Sequence, residues 1–185
     1  IAGRGTIGAR NEPLAPVSVQ FKDHHTAYGP VVASPQGLTF TALRIKTGDS
    51  APVYLDKPGY RDKLKPSKRR NWIAPPVDLS IEPVLAARKE KAWEPLYDLS
   101  QIDDGMAAHV LRLGANMVAN GPDPKAAGGY YIFVANGTMM KEGLAGGEEL
   151  PKWSMTVVET TDDEFEIRAG PKGLEAIVME FPKEE

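Results

Sequence analysis

The sequence predicts an all-β protein, and three observations carry that prediction. Glycine and proline supply 34 of the 185 residues, 18%, and are spread along the whole chain. Such frequent turn punctuation leaves short segments between breakers, which favours strands over long helices. Most of those segments are rich in β-branched or aromatic residues, and several alternate with the period of two that half-buried strands show. Only residues 81–93 have convincing helical spacing, with Val84, Leu85 and Ala92 forming a thin apolar stripe.

In chain order, strands are expected at residues 38–44 (LTFTALR), 106–113 (MAAHVLRL), 130–135 (YYIFVA), 154–159 (SMTVVE), 164–167 and 174–181 (LEAIVMEF). Besides the helix at 81–93, a second short helix is expected at 62–70. Composition divides the chain into three zones: residues 1–50 are turn-rich, residues 51–95 form a Pro-rich basic linker, and residues 96–185 hold the strand-dense part. Residues 56–70 carry seven basic and two acidic side chains, whereas residues 142–185 carry twelve acidic and four basic ones. The asymmetry suits docking of the basic segment on an acidic face. A solvated linker is the plainer reading.

Composition excludes several function classes. A hydrophobic fraction of 42% with 25% charged residues excludes wholesale disorder. The apolar runs are far shorter than a membrane span requires. A net charge of −3 gives no electrostatic case for nucleic acid. The absence of cysteine removes disulfides, thiolate nucleophiles and cysteine-held metal clusters. Residues 1–10 lack the basic start and apolar run of a secretory leader, so the expected compartment is the cytoplasm. The chain, starting at Ile1, reads as cut, processed, or taken from something longer.

The most informative pattern is an internal repeat. Ala33-Ser34-Pro35-Gln36-Gly37-Leu38 recurs as Ala169-Gly170-Pro171-Lys172-Gly173-Leu174, 136 residues later. In each copy the A-x-P-x-G-L segment reads as a turn followed by a strand and preceded by a β-rich stretch, residues 17–21 or 156–159. Strands from Gly105 onward precede the second copy, but only 32 residues precede the first. The first copy therefore reads as a C-terminal remnant, or as a unit whose front part lies outside this chain; the alternative for residues 1–50 is strands added to the barrel of residues 96–185.

From Gly105 onward the layout resembles the cupin family of small RmlC-like jelly-roll barrels. That family's first motif is G-x5-H-x-H-x(3,4)-E-x6-G. Here Gly114 is followed after five residues by Asn120, then by Gly121 and Pro122, and Tyr130 is followed after six residues by Gly137. Residues 130–137 look like the family's hydrophobic strand and hairpin turn, and residues 165–181 like its closing strands. With the repeat, the resemblance implies a degenerate bicupin with an incomplete first barrel. Asn120, Pro122 and Tyr130 stand where two histidines and a glutamate would bind Fe, Mn, Zn or Ni. The second motif, P-x-G-x2-H-x3-N, has no match between Gly146 and Phe165. No metal or other cofactor is therefore expected in residues 96–185. A divalent metal in an incomplete first barrel stays open, with His24 or His25 near the second-motif position. The plain alternative for that pair is a polar loop after Asp23, and adjacent strand residues point opposite ways.

Other residues carry candidate chemistry. His109 shares one face of its strand with Ala107 and Leu111, while Ala108, Val110 and Arg112 take the other. Facing inward, His109 is a candidate general base; facing outward, it is a surface group. Arg112 is the alternative interior polar group, suited to a carboxylate. Tyr130, as a catalytic candidate, and Tyr131 with Asn120, as ligand-binding candidates, suit hydrogen bonding in an apolar pocket. One tyrosine filling the core with the other outside is the plainer arrangement. Five of the six methionines, Met106, Met139, Met140, Met155 and Met179, read first as core.

Two formal motif matches carry nothing. Gly3-Arg4-Gly5-Thr6-Ile7-Gly8 fits G-x-G-x-x-G, but no strand precedes it and no helix follows before Pro13. Asn136-Gly137-Thr138 is a glycosylation sequon that reads as a tight hairpin turn. The expected function is binding of a small organic ligand in a metal-free barrel, in a homodimer contacting neither nucleic acid nor membrane. The alternatives are an enzyme, either a dioxygenase with its metal in the first barrel or a metal-free isomerase or lyase, and a structural barrel.

Overall fold

The computed structural model describes residues 2–44, 55–141 and 147–183. Antiparallel strands dominate it, as the punctuation predicts, and they fall into two compact units, Ile1–Val77 and Asp78–Glu185.

In the first unit, strands β1 (Ala2–Ile7), β2 (Glu12–Leu14) and β4 (Val31–Thr39) form a sheet in the order β2-β1-β4. Strands β3 (Gln20–Lys22) and β5 (Asn71–Ile73) form a separate antiparallel pair. Asp23 and Arg70 tie the ends of that pair together, with Arg70 donating through its backbone N–H at 2.7 Å and its guanidinium at 2.8 Å. The strand expected at 38–44 lies earlier, and residues 41–44 belong to no strand. The helix expected at 62–70 shrinks to a 3-10 turn, Arg61–Lys63. Pro66 disfavours helical geometry at Lys65, which stops the turn from growing.

The second unit holds β6 (Ala92–Pro95), β7 (Ala107–Leu113), β8 (Val118–Asn120), β9 (Tyr130–Lys141), β10 (Glu148–Leu150), β11 (Met155–Val158) and β12 (Glu166–Glu180). The sheet runs β10-β9-β12-β7-β6, with β11 on β9 and β8 on β12. The two long strands therefore change neighbours along their length: β9 pairs first with β11 and then with β10, and β12 first with β8 and then with β7. One buried cluster draws Leu111 and Leu113 from β7, Ala119 from β8, Ile132 and Val134 from β9, Val158 from β11 and Leu174, Ala176 and Val178 from β12, with Trp93 and Leu150 packed against it. All seven strands thus turn one face to a single core, so the sheet curls around its own apolar side chains, as period-two alternation requires.

The helix expected at 81–93 is only one turn and a half, α1 (Glu82–Ala86), because a single residue of its apolar stripe, Leu85, is buried while Val84 is 60% exposed. Ala92 and Trp93 belong to β6, paired with β7. The sequon is no hairpin turn, since Asn136 and Gly137 lie within β9.

The strands expected at 164–167 and 174–181 are one 15-residue strand, and the Ala-Gly-Pro-Lys-Gly-Leu segment is a bulge inside it. Ala169 pairs with Met139 and Leu174 with Gly137, so the residues between them swell out over a single partner residue. Pro171 has no N–H to donate to a ladder, and Gly173 takes φ +79°, both of which favour a bulge here.

The first copy of the motif behaves alike. Ala33 pairs with Gly5 and Leu38 with Gly3, so the same number of residues is skipped, and Gly37 has φ +82°.

Candidate functional site

Residue alternation on β12 places Leu174, Ala176, Val178 and Glu180 on one face, of which the first three belong to the core. Pairing extends that face sideways. Val178 stands opposite His109 on β7 and Ile132 on β9, while Glu180 stands opposite Ala107 and Tyr130. Directly paired residues point to the same side of a sheet. His109, Tyr130 and Glu180 therefore all face the core, at the end of β12 nearest its C-terminus.

The imidazole Nδ1 of His109 lies 3.6 Å from the Glu180 Oε1, outside hydrogen-bond range. The His109 ring meets the Trp93 indole edge-on, with centroids 5.8 Å apart and planes at 87°. Buried His109 Nδ1 has no hydrogen-bond partner. Tyr130 is 1% exposed, and its hydroxyl likewise lacks a partner of good geometry. Burial pushes the Tyr130 phenol up to about 12, with a smaller opposing pull from the Phe165 backbone and a further push from Glu180, Asp162 and Glu164. Gly121 makes room for the hydroxyl, since a Cβ there would sit 2.5 Å from the phenol oxygen. The group is a neutral phenol at any ordinary pH, able to donate or accept one hydrogen bond.

The remaining expected site residues lie elsewhere. Arg112 is on the opposite face of β7, where its guanidinium donates to Glu175, to Glu94 at 3.0 Å and to the Asp78 carbonyl at 3.2 Å. Glu175 is fully buried and also accepts from the Ser80 backbone N–H (3.0 Å), the Ser80 hydroxyl (2.8 Å) and the Asn136 amide (2.9 Å). This network fastens the segment before α1 to the outside of the sheet.

Asn120 is exposed on β8, opposite Glu166. Tyr131 points away from the core, its ring 5.6 Å from that of Phe181. His24 and His25 follow β3 in the first unit, with ring centroids 5.3 Å apart, and His24 is exposed.

The structure thus brings His109 and Tyr130 to one face and places Asn120, Arg112 and Tyr131 outside it. Glu180 and Trp93 join the first two, and neither was singled out from the sequence. Glu180 was signalled by the period-two run Leu174, Ala176, Val178, Glu180, in which a carboxylate takes the next inward position. Trp93 carried no such signal, because its segment reads as helix.

Among the described residues no group of three or more His, Cys, Asp or Glu side chains is arranged to hold a metal ion. The donors present fit such an ion poorly: one imidazole, one carboxylate and a phenol held neutral, with Asn120 turned outward and no donor atom on Pro122.

No protein-family model and no curated protein matches the chain. Among solved structures, the crystal structure of an RmlC-like cupin protein from Desulfovibrio desulfuricans is similar over 56% of this chain and 97% of that one, at 13% identity and a TM-score of 0.38. No helix among the described residues is long and apolar enough to cross a membrane.

Proposed function

We propose that this chain is a cupin-like protein that binds a small organic ligand on the inward face shared by His109, Tyr130 and Glu180. The observation that supports this reading is the pair of orphaned polar atoms, His109 Nδ1 and Tyr130 Oη, buried on one face of the core. Buried polar groups are normally hydrogen-bonded, and leaving one unpaired costs about 1–3 kcal/mol. Two orphans flanking one carboxylate suit a guest with a hydroxyl or carbonyl group, which would satisfy both. Trp93 and the aliphatic side chains of the cluster would hold its apolar part.

A second reading rests on the His109–Glu180 approach. A carboxylate beside an imidazole can orient it as a general base, and Tyr130 could donate to a developing oxyanion. Proton transfer of the isomerase or lyase kind would need no metal. The matching A-x-P-x-G-L bulges also support a degenerate bicupin, in which the first unit is the back part of an incomplete first barrel.

The test is native mass spectrometry of the intact chain against a library of small hydroxy, keto and phenolic compounds. Binding that is lost in both His109→Ala and Tyr130→Phe supports the site. Binding unchanged in both variants rejects it.

A further inference from the structure

We infer that β4 is a strand acceptor: its outer edge takes a two-stranded segment of the β7–β8 type, supplied by the same polypeptide ahead of residue 1. The inference rests on the two-copy reading above and is independent of any ligand.

The two units match in register as well as in motif. Residues 12–39 align without a gap on residues 148–175, with 7 of 28 positions identical. Leu14 pairs with Gly5, two residues beyond Gly3, and Leu150 with Met139, two residues beyond Gly137. Leu38 pairs with Gly3, and Leu174 with Gly137. Both of these partner glycines have positive φ, +82° and +68°. A Cβ on either would strike the carbonyl oxygen of the motif glycine opposite, Gly37 or Gly173. Even the two non-glycine positive-φ residues that precede the aligned serines, Val17 and Trp153, correspond.

What differs is the other edge. In the second unit β12 also pairs with β7, Leu174 opposite Leu113, and with β8, Arg168 opposite Val118. There Ile167, Ala169, Leu174 and Ala176 are all 0% exposed. In the first unit β4 is the last strand of its sheet among the described residues. The counterparts of those four residues are Val31, Ala33, Leu38 and Phe40. Ala33 is exposed, Phe40 is 57% exposed, and Val31 and Leu38 are only part-buried. A Cβ at Gly173 would meet the Leu113 carbonyl at 2.9 Å, whereas one at Gly37 would meet nothing within 4 Å.

Among the described residues, an edge without a partner strand and an uncovered apolar face thus coincide where β7 and β8 lie in the other copy. An open strand edge of this kind accepts a strand by main-chain hydrogen bonding. In the second copy the covering pair comes just before β9 in the chain, the strand equivalent to β1. The same order puts the missing pair ahead of β1, where covalent linkage gives it a high effective concentration.

The test is amide hydrogen exchange, read by mass spectrometry, on residues 1–185 and on the polypeptide produced from the natural start of its reading frame. Amides of residues 31–40 are expected to exchange at least ~100-fold more slowly in the longer polypeptide, independently of concentration, while β12 is equally slow in both. Equal exchange of residues 31–40 in the two proteins, or a reading frame without a preceding segment, overturns the acceptor. Protection that grows with protein concentration assigns the edge to a second copy and also overturns it. The two-copy reading fails separately, if β1 amides facing Leu38 and Ala33 are unprotected in both proteins.

Discussion

His109 Nδ1 and Glu180 Oε1 approach to 3.6 Å on the inward face of the second unit, brought there by β7 and β12 in antiparallel register. The imidazole occupies a position that alternation would give to an aliphatic residue, in line with Leu111 and Leu113. His109→Leu should therefore leave stability unchanged or raise it by about 1 kcal/mol, because an unsatisfied buried nitrogen is removed while the lost edge contact with Trp93 offsets part of the gain. Thermal unfolding checks this. A drop of several kcal/mol would mean that His109 is a structural bond-maker.

Tyr130→Phe removes the second orphan without changing the shape of the core. The expected result is a gain of about 1 kcal/mol in stability, at the expense of ligand binding.

The same phenol gives a pH signature. Its pKa is raised to about 12 by burial, against about 10 when unfolded. The neutral form is therefore favoured by folding, so its contribution is complete below about pH 10 and is lost as pH rises toward 12. Ultraviolet difference titration should show one tyrosine ionising last, and Tyr130→Phe should delete that step.

Glu175 is the fully buried carboxylate on the other face, and it accepts from Arg112, Ser80 and Asn136. Glu175→Ala leaves Arg112 partly unpaired and unfastens the segment before α1. A loss of about 3–5 kcal/mol is expected from denaturant unfolding, as for other broken buried pairs. Arg112→Ala should cost a similar amount, and the double variant should cost less than the sum of the two.

Gly173 and Gly37 hold equivalent positions with φ +79° and +82° but different surroundings. Alanine at either is strained by the backbone alone, by about 1 kcal/mol or more. At Gly173 it also collides with Leu85 and the Leu113 carbonyl. Gly173→Ala should therefore destabilise its unit by at least ~2 kcal/mol more than Gly37→Ala destabilises its own.

Much of the second unit was legible because its strands are bounded by glycine or proline and alternate cleanly. Residues 106–113, 130–135 and 154–159 read as strands and form β7, the front of β9 and β11. The A-x-P-x-G-L segments were legible as a repeat but not as bulges. Proline and glycine mark a turn and a bulge in the same way, and only the pairing of Ala169 and Leu174 with residues two apart distinguishes them. Trp93 was hidden because residues 81–93 have one helical turn's worth of pattern followed by a short strand.

At the site, alternation placed His109 with Leu111 but left open which face was inward, and that depended on β12 pairing. Arg112 illustrates the converse: a polar residue amid a strand reads as a lumen group, whereas its partner is a buried glutamate on the outer face. Such long-range pairing, 63 residues apart, leaves no local trace.

Ligand binding at the inward face of His109 and Tyr130 carries the proposed function. It is tested most directly by protein-observed NMR, following the His109 ring and Tyr130 side-chain resonances during titration with the hydroxy, keto and phenolic compounds retained in mass spectrometry. Saturable shifts are expected at both residues and at Trp93, abolished in the His109→Ala and Tyr130→Phe variants. Saturable binding that moves only outward residues such as Asn120 and Tyr131, with His109 and Tyr130 unmoved, would contradict it.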